Sequence, residues 1–257
     1  MDDGGSAGVV LSIIRTVAET GSTNADLLAL ARTGADDGLW LRAVRQTAGR
    51  GRQGREWSSP DGNLYASTLV RLRPGDPPAA SLALVAAVAL YEAVSTFLAA
   101  GIRQETTDSS AALLLKWPND LLLAGAKLSG ILLERADDAV VVGFGVNIAH
   151  HPELSDRKTT DLTAHGVVIE PASFLDILAE GFARWVARWR NEGLAPVRAR
   201  WVDCAHPAGT ALTARLADGE AVDGLFEGLD LDGCRPSLMS TCNSAPGLRR
   251  WPARSWK

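Results

Sequence analysis

A loop rich in glycine and arginine, between two predicted strands, constrains this chain most. Residues 46–57 read QTAGRGRQGREW and lie between apolar runs at residues 38–44 and 64–70. Short apolar runs bounded by turn residues predict strands. Glycine lets the backbone turn sharply and approach a ligand closely, and arginine offers a planar charged group that suits phosphate or carboxylate. Because the charges repel and nothing apolar holds the loop, we expect it to fold over an anionic ligand.

Two simpler interpretations of this loop are a solvated basic hairpin and a nucleic-acid patch, since basic loops are common. The formal net charge of the chain is -4. The protein is therefore not built to bind nucleic acid through its bulk charge. We expect no DNA partner and interpret the arginines as locally placed.

Length and composition indicate a globular protein. The 257 residues suffice for one large domain or a large and a small one, and 46% of them are hydrophobic. The three cysteines have no paired spacing, which argues against a disulfide framework or a zinc site. The acidic start lacks the pattern of a signal peptide, and the four histidines show no metal-ligand spacing. We expect a cytoplasmic location, surface histidines and no protein-bound metal site.

Two long helices are predicted from apolar periodicity. Residues 78–100 form the most apolar run, but Ser81, Glu92 and Ser95 interrupt it, so we expect a buried helix rather than a membrane span. Residues 173–191 carry large apolar side chains at helical spacing, which indicates a core helix.

Polar residues also cluster at predicted turns. Lys116, Asn119 and Asp120 lie in the turn of a predicted hairpin, and Lys127 begins the next strand. Each residue alone would be an ordinary turn residue, but their combination between apolar strands is uncommon. Ser22 or Thr23 could simply cap a helix over residues 25–32, or could present hydroxyls to a ligand.

The predicted strand at residues 139–148 contains Gly143 and Gly145. Glycine weakens a strand unless something must approach closely, and the spacing is no dinucleotide fingerprint. A ligand base or ribose against this strand, with Asn147 as a polar contact, would explain the glycines.

At four motifs the chain resembles the biotin protein ligases. They are GSTN at residues 21–24, RQTAGRGRxGRxW at 45–57, KWPND at 116–120 followed by KLxGIL at 127–132, and GxGxN at 143–147. The resemblance covers about residues 9–232. It implies an α+β fold, with a central mixed β-sheet flanked by helices in a class II synthetase-like catalytic domain at residues 9–203. A small SH3-like β-barrel at residues 207–257 would follow.

The two ends of the chain depart from other members of that family. The catalytic domain begins almost at once, so we expect a monofunctional member without the N-terminal DNA-binding domain. Residues 234–257 do not resemble the remaining barrel strands. We expect an incomplete barrel, and an altered reading frame late in the gene is one hypothesis for it.

The resemblance implies a reaction in two halves. ATP, with Mg²⁺, activates biotin to biotinyl-5′-AMP and releases pyrophosphate. Biotin then passes to a lysine on the biotin carboxyl carrier domain of an acyl-CoA or pyruvate carboxylase. The expected assembly is a monomer or a weak homodimer.

The resemblance also assigns roles to residues. Lys127, Asp120 and Arg52 are the expected catalytic residues; Lys127 would bridge the biotin carboxyl and the α-phosphate, and Asp120 would help the acceptor lysine lose its proton. The expected biotin-binding residues are Ser22, Thr23, Gln46, Arg50, Gly51, Arg52 and Lys127. The expected nucleotide-binding residues are Arg52, Arg55, Trp57, Lys116, Asn119, Asp120 and Asn147.

Two alternatives to this function are open. One is a lipoate-type ligase, whose enzymes share the general fold. The other is a protein that binds biotin or its adenylate but transfers it poorly.

Overall fold

The central feature of the fold is a seven-stranded mixed sheet. The computed structural model describes residues 12–101, 112–215, 221–230, 236–239 and 248–249. The strands of the sheet are β1 Ile14–Thr20, β2 Trp40–Gln46, β3 Leu64–Arg71, β4 Leu113–Lys116, β5 Asp120–Leu123, β6 Ala126–Ala136 and β7 Ala139–Val146. Their order is β1-β2-β3-β7-β6-β5-β4. Only β1 and β2 run parallel, and all other neighbours are antiparallel. The predicted central mixed sheet is confirmed.

Among the described residues, three α-helices cover the sheet and a fourth packs against two of them. The helices are α1 Thr23–Arg32, α2 Leu82–Gly101, α3 Pro171–Glu192 and α4 Ala195–Asp203, and α4 is the one that packs against α2 and α3. The alternation of side chains along the strands explains how both faces are covered. In β2, Trp40 packs into the core formed with α2 and α3, whereas its neighbour Leu41 packs with Leu27 of α1. Successive side chains of a strand point to opposite faces, so both faces of the central strands are buried. This two-sided burial accounts for the nearly continuous apolar sequence of β7, AVVVGFGV.

The apolar run at residues 78–100 forms a short 3₁₀ turn, Ala79–Ser81, followed by α2. The segment Ala79–Ala100 is long and apolar enough to cross a membrane by composition alone, but more than half of it is buried inside the fold. Helix α2 packs against α3, where Trp185 donates a hydrogen bond from its indole nitrogen to Glu92 Oε2 (2.9 Å). It therefore serves as the predicted core helix.

A second, four-stranded antiparallel sheet follows α4. Its strands are β8 Ala211–Arg215, β9 Ala221–Leu229, β10 Pro236–Met239 and β11 Leu248–Arg249, in the order β11-β10-β9-β8. Strands β10 and β11 lie within residues 234–257, where the sequence does not alternate between apolar and polar residues as strands usually do. The Asp218-Gly219 and Asp232-Gly233 pairs, which predict hairpin turns, lie outside the described residues, as do Cys234 and Cys242. The SH3-like barrel and the limits of the two domains stay predictions.

The core depends on an aromatic group that joins the sheet to α3. Phe182 meets the rings of Trp40 and Phe144 edge-on at 5.7 and 5.8 Å. We expect Phe182→Ala to lower the free energy of unfolding by about 3–5 kcal/mol, because it leaves a cavity in a packed interior. The measurement is urea denaturation. Ile177→Ala on the exposed side of the same helix is the control, and its loss should stay below about 1 kcal/mol. Equal losses in the two variants would contradict this account of the core.

Candidate active site

The face of the sheet that α1 covers carries no side chains at three neighbouring positions. Gly130 of β6 pairs with Gly145 of β7, and Gly143 lies two residues before Gly145 on the same side. We call these three residues the glycine face. A methyl group on Gly145 would lie 2.6–2.8 Å from the indole of Trp57, and one on Gly143 would lie 2.2 Å from Asn24 Oδ1. Two side chains of the protein itself, Trp57 and Asn24, therefore approach the strand closely at its glycines. A ligand base or ribose near this strand stays a prediction.

The loop at residues 46–57 is a tight hairpin. The amide of Gly51 donates to the carbonyl of Arg55 (2.7 Å), and the amide of Trp57 donates to the carbonyl of Gly49 (2.9 Å). A short 3₁₀ turn, Arg52–Gly54, forms its tip. The expectation that nothing apolar holds this loop was wrong, because the indole of Trp57 packs on the glycine face. Within the described part of the chain, Trp57 Nε1 is buried without a hydrogen-bond partner.

The tip of the loop reaches the predicted hairpin turn. Arg52 donates from Nη1 to Asn119 Oδ1 (3.2 Å), and Asn119 donates from Nδ2 to the carbonyl of Ile131 (2.8 Å). Burial lowers the pKa of Arg52, and the nearby charge of Asp120 opposes that shift. Since a guanidinium stays charged in proteins, the site keeps a partly desolvated cation at this point.

Lys127 and Asp120 form an ion pair beside the glycine face. Lys127 Nζ lies 2.6 Å from Asp120 Oδ1, and the two side chains are only 15% and 16% exposed. The ammonium also lies 5.5 Å from the ring centroid of Trp57. The backbone of Lys127 is held on both sides, since its amide donates to the carbonyl of Lys158 and its carbonyl accepts from the amide of Thr160. The ammonium is thus placed between a carboxylate and the loop.

The start of α1 contributes a second polar group. The helix begins at Thr23, two residues before the predicted start, and Ser22 occupies the cap position without a side-chain capping bond. Instead, Gln46 Oε1 accepts from the amide of Thr23 (2.9 Å), and Gln46 Nε2 donates to Ser59 Oγ (3.2 Å). Helix capping by Ser22 or Thr23 alone therefore does not explain the motif.

The remaining predicted site residues lie around the ion pair and the loop. Asn147 is 2% exposed and donates from Nδ2 to the carbonyl of Thr160 (3.0 Å), so it supports the segment that holds Lys127. Arg55 is exposed, and Lys116 is exposed opposite Asp120 across the β4–β5 hairpin. Arg50 Nη2 lies 4.0 Å from Glu134 Oε1, and Gly51 is held at the base of the loop tip by its bond to Arg55.

Sequence analysis missed Ser67, Ser59 and Glu134. Ser67 Oγ donates to Asn24 Oδ1 (2.6 Å), and Glu134 Oε2 accepts from Asn24 Nδ2 (2.9 Å). All three stand in stretches that read as ordinary strands or turns. For Ser67 and Glu134 the detectable signal was a polar residue inside an apolar strand, as in LYASTLVR and AKLSGILLERA. Ser59 lies in a loop and carried no such signal.

The prediction that all four histidines lie at the surface holds for only two of them. His150 and His151 are exposed, whereas His165 and His206 are half-buried. Burial, with the charge of Lys116 nearby, lowers the pKa of His206. Among the described residues, no three His, Cys, Asp or Glu side chains converge to hold a metal ion.

Comparison with known proteins identifies the family. The family model described as the biotin/lipoate A/B protein ligase family matches residues 19–147, a span that contains every predicted site residue. The biotin–[acetyl-CoA-carboxylase] ligase of Paracoccus denitrificans is 41% identical over 228 residues, covering 84% of this chain and 90% of that protein. The chain belongs to the biotin/lipoate A/B protein ligase family. A second relative, the biotin–[acetyl-CoA-carboxylase] ligase of Mycobacterium tuberculosis, is 38% identical over 226 residues, with coverages of 84% and 80%.

Solved structures agree with this assignment. The biotin protein ligase of Leishmania major in complex with biotinyl-5-AMP has a TM-score of 0.65 and 26% identity, covering 82% of this chain and 98% of that one. The biotin protein ligase of Aquifex aeolicus in complex with biotin and ATP has a TM-score of 0.77 at 22% identity, with coverages of 93% and 96%; this likeness shows the fold. The predicted resemblance to biotin protein ligases and the predicted enzyme class are confirmed, and the chain is a ligase of this family.

The contact between Trp57 and the glycine face can be tested without an activity assay. A methyl group in Gly145→Ala would collide with the indole, so we expect the loop to detach and trypsin to cut at its arginines about tenfold faster, since cleavage follows the population of the open form. Mass spectrometry of the fragments measures the rate. Gly181→Ala is the control, because the nearest atom to its new methyl lies at an ordinary 3.7 Å. Unchanged cleavage in Gly145→Ala would show that Trp57 does not hold the loop.

Proposed function

We propose that this protein is an ATP-dependent ligase that converts biotin to biotinyl-5′-AMP and transfers it to a lysine of a biotin carboxyl carrier domain. The observation that carries the proposal is the arrangement around the glycine face. The Lys127–Asp120 pair and the Arg52–Asn119 contact lie on one side, and the Thr23–Gln46 group lies at the N-terminus of α1. Biotin is a carboxylic acid with a polar ring and an aliphatic tail. It needs cations near its carboxylate and hydrogen-bonding groups near its ring, and the site offers both.

The first half of the reaction brings an anion to a polyanion. The biotin carboxylate forms a bond to the α-phosphorus of ATP, and the bond to the β-phosphate oxygen breaks as pyrophosphate leaves. Lys127 and Arg52 place positive charge where negative charge accumulates, and one such donor contributes about 3–4 kcal/mol to transition-state stabilisation. Lys127 first has to leave Asp120. We therefore expect its ammonium group to exchange the carboxylate of Asp120 for an anion of the substrate.

Mg²⁺ would neutralise charge on the phosphates when bound. Since the described residues contain no cluster of three metal-ligating side chains, the donor set fits an ion that arrives with the nucleotide. Proteins commonly bind Mg²⁺ through phosphates, waters and one or two carboxylates.

The second half requires a neutral amine on the acceptor. The acceptor lysine forms an amide bond to the biotin carbonyl carbon, the bond to the phosphate oxygen breaks, and AMP leaves. Asp120, once Lys127 has turned to the adenylate, is a carboxylate placed to take the proton of that amine. The carrier domain of an acyl-CoA or pyruvate carboxylase is the proposed partner, in the cytoplasm, and the ligase would act as a monomer or weak homodimer.

The family also contains lipoate ligases, so substrate choice needs its own reason. Thr23, Gln46, Ser67 and Asn24 form a chain of polar groups, and the first two adjoin the start of α1. Hydrogen-bonding groups of this kind suit the ureido ring of biotin better than the apolar dithiolane ring of lipoate, because buried polar groups need partners. These polar groups therefore favour biotin over lipoate.

The direct test is incubation with biotin, ATP and Mg²⁺, with and without an apo carrier domain, followed by mass spectrometry. We expect a biotin-sized mass increase on the carrier, lost in Lys127→Ala and kept in the control Lys158→Ala, whose side chain is exposed. Adenylate without transfer would indicate a protein impaired in the second half-reaction. Attachment of lipoate instead of biotin, or no adenylate at all, would contradict the proposal.

Retention of the adenylate should depend on Arg52. Its bond to Asn119 ties the loop to the hairpin turn, and losing a hydrogen bond to a charged group costs about 1.5–3 kcal/mol. We expect Arg52→Gly to release adenylate about tenfold to a hundredfold faster and to label lysines of a bystander protein. Arg184→Ala on the exposed face of α3 is the control. Retention at the wild-type level in Arg52→Gly would contradict this role.

A further inference from the structure

A chain of hydrogen bonds runs through the protein interior from β6 to the first residue of α1. Glu134 Oε2 accepts from Asn24 Nδ2 (2.9 Å), Asn24 Oδ1 accepts from Ser67 Oγ (2.6 Å), and Ser67 Oγ lies 2.7 Å from Thr23 Oγ1. Asn24, Ser67 and Thr23 are all buried. Buried polar groups of this kind must be satisfied by each other or by a ligand.

The acceptors at one end of the chain determine which way Asn24 points. The carboxylate of Glu134 and the carbonyl of Leu132 both face Asn24 Nδ2, at 2.9 and 3.4 Å. A backbone carbonyl and an ionised carboxylate can accept hydrogen bonds but cannot donate them. The amide nitrogen of Asn24 therefore faces them, and its oxygen faces Ser67.

The direction of the remaining bonds follows from counting protons. Ser67 has one hydroxyl proton and gives it to Asn24 Oδ1, so at the Ser67–Thr23 contact the donor is Thr23. Thr23 Oγ1 also lies 3.2 Å from Gln46 Oε1, but the hydroxyl oxygens of Thr23 and Ser67 are only 2.7 Å apart and need a proton between them, which Thr23 has to supply. With its single proton committed to Ser67, the hydroxyl of Thr23 has only lone pairs left to offer.

We propose that Glu134 is a positioning residue that makes Thr23 a hydrogen-bond acceptor and thereby selects a substrate with an N–H group at that point. The inference rests on the proposed function, because the ureido ring of biotin carries such N–H groups. A ring oxygen at the same place would face the lone pairs of Thr23 and be rejected. Sites built to bind an N–H or O–H group discriminate strongly against analogues that lack it.

Two neighbours support the charge and the position of Glu134. Arg50 Nη2 lies 4.0 Å from Glu134 Oε1, so the carboxylate faces a cation of the loop. Gly143 leaves room for the Asn24 amide, since any side chain there would overlap it. From Thr23 the bonds continue through Gln46 and Ser59 to the carbonyl of Trp57. The binding pocket and both ends of the loop therefore share one network.

A purely structural role for Glu134 makes a different prediction from a directing role. Glu134→Gln keeps the size of the side chain and its ability to accept a hydrogen bond from Asn24. A purely structural contact would therefore be retained in this variant. The amide of glutamine can also donate, however, which allows Asn24 to turn over and the protons of Ser67 and Thr23 to reverse. Loss of the directing charge should therefore change which atoms the pocket accepts.

The experiment is isothermal titration calorimetry of the full chain with biotin and with two cyclic carbamates, each having one ureido N–H replaced by oxygen. For the carbamate whose oxygen faces Thr23, we expect wild type to bind biotin at least about a hundredfold more tightly. In Glu134→Gln this ratio should fall about tenfold or more. The KM for biotin should rise in the same variant while the KM for ATP stays unchanged. The control is Glu180→Gln, whose carboxylate pairs with Arg184 on the exposed face of α3.

A second variant keeps the test decisive if Glu134→Gln does not fold. Ser67→Ala retains Glu134 but removes the acceptor of the Thr23 proton, so discrimination should fall here as well. Wild-type discrimination in a folded Glu134→Gln or Ser67→Ala variant would overturn the inference while leaving the proposed function standing. A wild-type protein that fails to bind biotin would overturn the proposed function and this inference together.

Discussion

The site depends on the absence of side chains from one patch of the central sheet. Because Gly143 and Gly145 carry no Cβ, Asn24 and Trp57 can lie directly on β7, at distances that any other residue would forbid. Trp57 then anchors the end of the arginine loop, and Asn24 links α1 to β6 through Glu134. Glycine in a strand interior weakens the strand, but here the seven-stranded sheet is buried on both faces and offsets that cost.

Each charged side chain around this patch has a polar or oppositely charged neighbour. Lys127 faces Asp120, and Arg50 lies near Glu134, while Arg52 reaches the amide of Asn119. Lys127, Asp120 and Arg52 are largely removed from water, and charges removed from water need partners. In the proposed function, a substrate carboxylate and a phosphate would each replace one of these partners without leaving a cation alone. The same pairs that satisfy the site at rest thus leave it ready to accept anions.

Sequence reasoning predicted much of this arrangement and missed its connections. The motifs placed Lys127, Asp120 and Asn119 at one hairpin and Arg52 in the loop, since chain-local spacing carries that information. The contacts of Asn24 with Ser67 and Glu134 span 43 and 110 positions, and no local pattern reveals which strands become neighbours. The glycines show the same difference. Their need for a close approach was readable from the strand, but the identity of the approaching side chains required the tertiary structure.

The most direct test of this account is a crystal structure of the protein with biotinyl-5′-AMP. The account predicts that Lys127 Nζ has left Asp120 to contact the phosphate or the acyl oxygen. It also predicts that Thr23 Oγ1 accepts a hydrogen bond from a ureido N–H, while Trp57 stays on the glycine face. A complex in which the Lys127–Asp120 pair is intact and the ureido ring lies away from Thr23 would contradict it.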